Sequence, residues 1–299
     1  MGAVRSRFPP GGARCHPRDG EGEQRYLCAR IPAKRRRYGG SRCGDLCHGV
    51  LIKPVGYVPG RRYPIVMMFS RGWNTEGWAD RDFLLEAEVM AYPAQPLAGA
   101  GLAVLLMNRP VVRTGSSEEF AWRDGVEGAI EALDHEGLID RSRLGMTGFS
   151  HAVGIVEFVL EQSRYQFGAA VVIDSNINSY LADALHDGRP ASGPALEPRE
   201  FARDLNAEKI HAPLLLEAHG IPTAVGMFSV FNGLRLAHRP TELQYYLEED
   251  HDLVSPASQM SALTRQIDWY RFWLKSEEDP VPSKALQYAR WRKLKELQQ

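Results

Sequence analysis

The sequence lacks the features typical of membrane, secreted and nucleic-acid-binding proteins. It contains no run of about 18 consecutive apolar residues, which is the length that spans a bilayer. Its first residues do not form the apolar core of a secretory signal. The net charge is −1, so the overall charge gives no indication of a nucleic-acid partner. We therefore expect a cytoplasmic protein with no membrane or nucleic-acid partner.

Cysteine is scarce and is confined to the basic first 48 residues, which hold eleven Arg and Lys and four Asp and Glu. The four cysteines are Cys15, Cys28, Cys43 and Cys47. With His16 and His48 they could form a zinc site, but their spacing fits no standard zinc finger. The basic run 34–37 could bind nucleic acid or act as a targeting signal, although such runs are usually solvated. We interpret residues 1–48 as a disordered leader without a metal; a misassigned chain start is the alternative.

From residue 49 onward, short apolar strands alternate with helical patterns. We predict strands at 49–54, 63–69, 101–107, 144–149, 167–173, 213–218 and 242–247, and helices at 82–91, 118–136, 152–162, 228–237 and 258–274. Several of these strands are apolar throughout, which indicates a mostly parallel sheet covered by helices on both faces. The Gly- and Pro-rich stretch 186–205 is expected to be a loop insertion near the functional site.

The most informative motif is centred on Ser150. An apolar strand leads into Gly148-Phe149-Ser150-His151-Ala152, and a helical pattern follows it. Small residues two before and two after a serine are typical of a nucleophile elbow, the strand–turn–helix of the α/β-hydrolase fold. The turn is too tight for large side chains at these two positions. We therefore predict that Ser150 is the nucleophile, although a plain strand-to-helix turn with a buried serine would give the same string.

A hydrolase of this kind also needs a histidine as base and an acid that orients the histidine. Along the chain the order is serine, acid, histidine. His251 follows the last predicted strand, where the base is expected. The strand that the acid usually follows runs into His219 and Gly220 and supplies no carboxylate there. Asp174, at the end of the preceding strand, is our candidate, since neighbouring strands lie only about 5 Å apart. Asp174 could instead cap a helix or lie in a loop, and Glu217 is the second candidate acid.

An oxyanion site is predicted beside the elbow. The backbone N–H of His151, at the start of the following helix, is one expected donor. The second would come from Ser70 or Arg71, in the loop after the strand 63–69. Three further side chains lie on loops at this edge and could line a substrate cleft or simply pack: Trp73, Trp78 and Arg109.

Several stretches resemble the catalytic domain of the prolyl oligopeptidase family of serine peptidases. They are 50–66, with its Lys-Pro, Gly-Tyr and Pro-Gly-Arg-Arg-Tyr-Pro strings, and 137–150, which leads into Ser150. Two others resemble the lasso peptide isopeptidases within that family: Phe69-Ser70-Arg71-Gly72-Trp73, and the tail 268–292 with its Trp, Tyr and Phe residues. The resemblance covers residues 49–299 and identifies them as an α/β-hydrolase catalytic domain.

The resemblance implies a serine peptidase that needs no cofactor. Ser150 would attack and His251 would act as base, and the substrate would be the isopeptide bond between an N-terminal amine and an Asp or Glu side chain that closes a lasso peptide ring. Such peptidases carry a β-propeller that grips substrate, and we expect none within residues 1–48, ahead of the hydrolase segment. A carboxylesterase on the same fold, or a catalytically degenerate homologue that binds a peptide without cutting it, are the alternatives.

Overall fold

The computed structural model describes residues 27–31, 36–38, 41–43, 47–69, 93–107, 110, 118–175 and 206–298, with side chains from residue 49 onward. Its centre is an eight-stranded sheet in the order β1-β4-β6-β5-β7-β8-β9-β10. These strands are β1 (Leu27–Ile31), β4 (Cys47–Ile52), β5 (Tyr63–Phe69), β6 (Ala103–Met107), β7 (Ile139–Phe149), β8 (Ala169–Ile173), β9 (Leu214–His219) and β10 (Thr241–Tyr246), while β2 (Arg36–Tyr38) and β3 (Ser41–Cys43) form a separate pair.

Six neighbouring strands of the sheet, β5 to β10, run parallel to one another. At one edge β4 pairs antiparallel with β6, and β1 pairs antiparallel with β4. The carboxyl ends of the parallel strands therefore meet at a single edge of the sheet. Loops that follow β7, β8, β9 and β10 start close together there, which is where open α/β sheets place their ligands.

Helices cover both faces of the sheet. They are α1 (Ala94–Gly99), α2 (Glu118–His135), α3 (Ala152–Gln162), α4 (Gly220–Leu236), α5 (Pro256–Lys275) and α6 (Ala285–Glu296), with a 3₁₀ turn at Pro282–Lys284. Side chains of successive strand residues point to opposite faces, so each strand contributes to two cores. In β5, for example, Met67 belongs to the core that includes residues of α2, α3 and α4, whereas Met68 belongs to the core that includes residues of α1, α5 and α6.

The mostly parallel sheet with helices on both faces confirms the predicted fold class. The predicted helix 152–162 matches α3 in full, and α2 and α5 differ from prediction by at most two residues at either end. Two helices differ more. The predicted helix at 228–237 begins eight residues earlier, at Gly220, and α6 was not predicted from its sequence pattern. The predicted helix 82–91 and the predicted insertion 186–205 lie outside the described residues.

The described part of residues 1–48 contains strand. β1 lies within the segment interpreted as a leader, and its backbone pairs with β4 from Leu27 opposite Leu51 to Ile31 opposite Cys47. The division of the chain at residue 48 falls within β4, and this division stays a prediction. Within the ranges that the structure describes, no helix is long and apolar enough to cross a membrane.

Candidate active site

Ser150 occupies a sharp turn between the end of β7 and the start of α3. Its φ of 56° lies in the left-handed region, which non-glycine residues seldom adopt. Two hydrogen bonds of the backbone hold this turn: the Ser150 N–H donates to the Ile173 carbonyl of β8 at 2.8 Å, and the Val153 N–H donates to the Ser150 carbonyl at 3.1 Å. The sheet and the helix thus fix a strained conformation that presents the hydroxyl at the sheet edge.

Gly148 is required by the close approach of β7 to α3. A Cβ atom at this position would lie 2.7 Å from the Ala152 carbonyl oxygen and 2.8 Å from Cγ2 of Val156. Neither atom can withdraw easily, because both belong to the buried first turns of α3. Gly148 therefore has the steric role that the sequence motif predicts for the position two residues before the serine.

His251 lies in the loop after β10, and its ring faces Ser150. Its Nε2 is 3.0 Å from the Ser150 hydroxyl oxygen, and the ring stacks on Phe149 with centroids 4.5 Å apart. The His251 side chain remains 53% exposed. The hydrogen bond that His251 Nδ1 donates to Asp174 raises the pKa of His251 above the usual 6.5, because the carboxylate stabilises the imidazolium.

Asp174 directly follows β8 and reaches the other side of the imidazole. Its Oδ2 lies 2.5 Å from His251 Nδ1, and its Oδ1 accepts a hydrogen bond of 2.6 Å from the His219 backbone N–H. The carboxylate is 1% exposed, so it is held in a nearly dry environment. The structure thus brings Ser150, His251 and Asp174 into one hydrogen-bonded chain, the geometry of a Ser–His–Asp triad.

The second candidate acid, Glu217, is directed elsewhere. It lies within β9, fully buried, and its Oε2 accepts a hydrogen bond of 3.0 Å from the side-chain amide of Gln266 in α5. Burial raises the pKa of Glu217 to about 8, since desolvation disfavours the charged form. The structure does not bring Glu217 to the imidazole of His251.

One of the predicted oxyanion donors is among the described residues. His151 lies at the N-cap of α3 with helical backbone angles, so its N–H belongs to the first turn of a helix whose dipole favours negative charge nearby. β5 ends beside the elbow, since Phe69 pairs with Gly148. Five predicted residues lie outside the described ranges: Ser70, Arg71, Trp73, Trp78 and Arg109.

Sequence reasoning missed two residues that contact the triad. Phe149 supplies the surface on which the His251 ring stacks. His219 contacts both the carboxylate of Asp174 and the backbone of His251. A signal for His219 was present, because it ends the strand after which an acid was expected. Among the side chains that the structure describes, no group of three or more His, Cys, Asp or Glu could hold a metal ion; the four cysteines are not among them.

Comparison with known proteins identifies a curated relative of marked similarity. The chain is 31% identical to the lasso peptide isopeptidase AtxE2 of Asticcacaulis excentricus, over 90% of this chain and 42% of the relative. The solved structure of apo AtxE2 superposes with a TM-score of 0.70 at 29% identity, covering 92% of this chain and 44% of that one. The chain is a homologue of a lasso peptide isopeptidase.

The predicted resemblance to the prolyl oligopeptidase family and its lasso peptide isopeptidases is thereby confirmed. A second AtxE2 structure is a serine-to-alanine variant with Astexin3-dC4 bound, and it matches with a TM-score of 0.68 over 92% of this chain. The dipeptidyl peptidase 4 of Porphyromonas gingivalis shares the fold at 17% identity and a TM-score of 0.61, over 82% of this chain and 35% of that one. The chain spans less than half the length of these proteins. No family model matches it.

Proposed function

We propose that this chain is a serine peptidase that hydrolyses a peptide or isopeptide bond through an acyl-enzyme. The observation that carries the proposal is the hydrogen-bonded chain from Ser150 through His251 to Asp174, with distances of 3.0 Å and 2.5 Å. Similarity to AtxE2 over 90% of the chain supports the same reaction class. A hydrolase without a working acid would be expected to bind rather than cut, and the buried Asp174 carboxylate argues against that alternative.

In the proposed reaction His251 acts first as a base. Asp174 accepts the Nδ1–H hydrogen bond, so Nε2 is left with a lone pair directed at the Ser150 hydroxyl. Nε2 takes the hydroxyl proton while the Ser150 oxygen attacks the scissile carbonyl carbon. The His151 backbone N–H stabilises the negative charge that develops on the carbonyl oxygen.

The second half of the reaction returns the enzyme to its starting state. The imidazolium gives its proton to the departing amine, which leaves the acyl group on Ser150. Water then attacks the ester carbon, His251 takes one proton from that water, and Ser150 recovers its own proton as the acid product leaves. Asp174 stays ionised throughout and stabilises the imidazolium in both halves.

The substrate that we propose is a lasso peptide. Its ring is closed by an amide between the N-terminal amine and an Asp or Glu side chain, and opening of this amide is ordinary acyl transfer. The structure of AtxE2 with Astexin3-dC4 bound supports a peptide of this class.

The cytoplasmic location predicted from the sequence stays a prediction.

The test begins with intact-mass analysis after treatment with a fluorophosphonate. We expect one adduct on the wild type and on Ser229→Ala, a control serine exposed on α4, and none on Ser150→Ala. Absence of an adduct on folded wild type would contradict the proposed mechanism and favour a peptide-binding role.

Substrate class is tested next with a threaded lasso peptide and with a simple aryl ester. Isopeptide hydrolysis adds the mass of one water to the peptide and opens its ring, which tandem mass spectrometry detects from the new fragments. Ring opening by wild type but not by Ser150→Ala supports the isopeptidase activity. Ester hydrolysis without ring opening would favour the carboxylesterase alternative.

A further inference from the structure

The end of β9 lies between the two groups that must be aligned in the proposed triad. β9 is bordered by β8 on one side and by β10 on the other. Asp174 follows β8, and His251 lies in the loop after β10. The last residue of β9 is His219, so an imidazole stands where the sequence pattern of this fold led us to expect the acid.

His219 makes one hydrogen bond to each of these two groups. Its backbone N–H donates to Oδ1 of Asp174 at 2.6 Å. Its ring Nδ1 lies 2.8 Å from the backbone carbonyl oxygen of His251. Because a carbonyl can only accept, Nδ1 of His219 must carry the hydrogen. A single residue therefore holds the acid through its main chain and the base through its side chain.

The surroundings of His219 fix its ring. The residue is 5% exposed, and its ring meets Tyr246 of β10 in a T-shaped contact with centroids 5.8 Å apart. Its carbonyl accepts a hydrogen bond from the Thr223 hydroxyl in the first turn of α4. The next residue, Gly220, has a φ of +71°, and a Cβ there would lie 3.0 Å from the Glu249 carbonyl of the His251 loop. The loop thus packs directly against this turn.

Packing alone gives no reason for a histidine here. Its Nε2 is buried and has no hydrogen-bond partner among the described residues. Burying an unpaired ring nitrogen costs free energy that an apolar side chain of similar size would avoid. The group that distinguishes histidine from such a side chain is Nδ1, which is the atom that reaches His251.

We propose that His219 is a positioning residue that holds His251 in line between Asp174 and Ser150. This inference rests on the proposed function of the triad. The His251 side chain is half exposed, and it makes side-chain hydrogen bonds only to Ser150 and Asp174 among the described residues. The bond from His219 to the main chain of His251 therefore restricts movement of this loop, which would otherwise lengthen the hydrogen bond between His251 and Asp174.

The test compares three substitutions of His219. His219→Phe keeps an aromatic ring at this position but removes the Nδ1–H donor. In His219→Asn the amide nitrogen can occupy the place of Nδ1, whereas in His219→Gln it lies too far along the side chain. We expect the fluorophosphonate labelling rate at saturation to fall about 10- to 100-fold in the Phe and Gln variants. The Asn variant should stay within about threefold of wild type, and the reagent affinity should not change.

A second readout does not depend on activity. The pKa of His251, followed by nuclear magnetic resonance of its ring, should fall in His219→Phe and stay near the wild-type value in His219→Asn, because only the former weakens the bond to Asp174. An unchanged labelling rate and an unchanged pKa of His251 in folded His219→Phe would overturn the inference. If His219→Phe does not fold, the contrast between the Asn and Gln variants decides in the same way.

The two proposals fail differently. A wild-type protein that takes no label would refute the proposed function, and the resonance of His251 would still test the role of His219. A wild-type protein that labels at Ser150, with all three variants labelling equally fast, would leave the proposed function standing and refute the positioning role.

Discussion

Asp174 and His251 are 77 residues apart in the sequence, and a hydrogen bond of 2.5 Å joins their side chains. The bond passes over the end of an intervening strand, since β9 separates β8 from β10 in the sheet. Strands two apart lie about 10 Å from each other, so the chain after β8 must bend toward β10 before its carboxylate can contact His251. The left-handed φ of Asp174, 48°, and the bond from its N–H to the Glu217 carbonyl turn the chain there.

Asp174→Asn should nearly abolish the reactivity of Ser150. An amide can donate to His251 and thereby stabilise the wrong tautomer, which in a serine protease costs about 10⁴-fold in rate. We expect the fluorophosphonate labelling rate to fall by about 10³- to 10⁴-fold with the fold retained. Intact-mass time courses measure this rate, and circular dichroism checks the fold.

The matched control is Glu217→Gln, which makes the same carboxylate-to-amide change one strand away. Its side chain contacts Gln266 and not the triad, so labelling at Ser150 should stay within about threefold of wild type. Rapid labelling of Asp174→Asn together with slow labelling of Glu217→Gln would reverse our assignment of the acid.

The labelling rate should rise with pH through a midpoint above the usual 6.5 of a histidine. The hydrogen bond that His251 donates to Asp174 raises the pKa of His251, and only the neutral imidazole can accept the Ser150 proton. Loss of this bond in Asp174→Asn should move the midpoint down. A pH series of labelling rates on both proteins measures the shift, and a midpoint that moves up or stays in place would count against the bond.

The sequence was sufficient for the elbow because its signal is local and steric. A Cβ at position 148 would lie less than 3 Å from Ala152 and Val156, and this crowding explains the glycine two residues before Ser150. His251 was predictable from chain order alone. Asp174 could be proposed from the spacing of strands. Its bond to His251 depends on the left-handed backbone conformation of Asp174, which no residue pattern predicts.

The rest depended on tertiary packing. The N-terminal half of α4 was missed because Gly220 and Pro222 are usually breakers, yet a proline in the first turn of a helix loses no hydrogen bond. Most residues of α6 are charged or polar, and only a narrow face of this helix is buried. On that face the rings of Trp291 and Trp269 have centroids 5.1 Å apart, and Trp291 Nε1 donates to Glu242 at 2.7 Å. The contacts of His219 join three segments that are remote in the sequence.

Gly148→Ala should damage the elbow. The added Cβ would lie within 3 Å of the Ala152 carbonyl and of Val156, so α3 must move away from β7. We expect a loss of about 1–3 kcal/mol in the free energy of unfolding, with Ser150 labelling strongly reduced.

The control for this substitution is Gly233→Ala in α4, where a Cβ would meet nothing within 4 Å. It should raise stability by about 0.5–1 kcal/mol through helix propensity and leave labelling unchanged. Chemical denaturation and labelling of both variants give the comparison. Equal behaviour of the two variants would mean that the elbow tolerates a side chain at 148.

Glu217 should make the stability of the protein fall as pH rises. Burial raises its pKa to about 8 in the folded protein, above the usual 4.5, so the unfolded chain releases this proton first. The contribution of Glu217 to stability is fully present below about pH 4.5 and is lost as pH rises through about 8, with a slope of up to about 1.4 kcal/mol per pH unit.

Glu217→Gln removes the titrating group, so the difference in unfolding free energy between variant and wild type should grow in favour of the variant between pH 5 and pH 8. Urea denaturation at three pH values measures this difference, and parallel curves for the two proteins would mean that Glu217 ionises as readily in the folded chain as in the unfolded one.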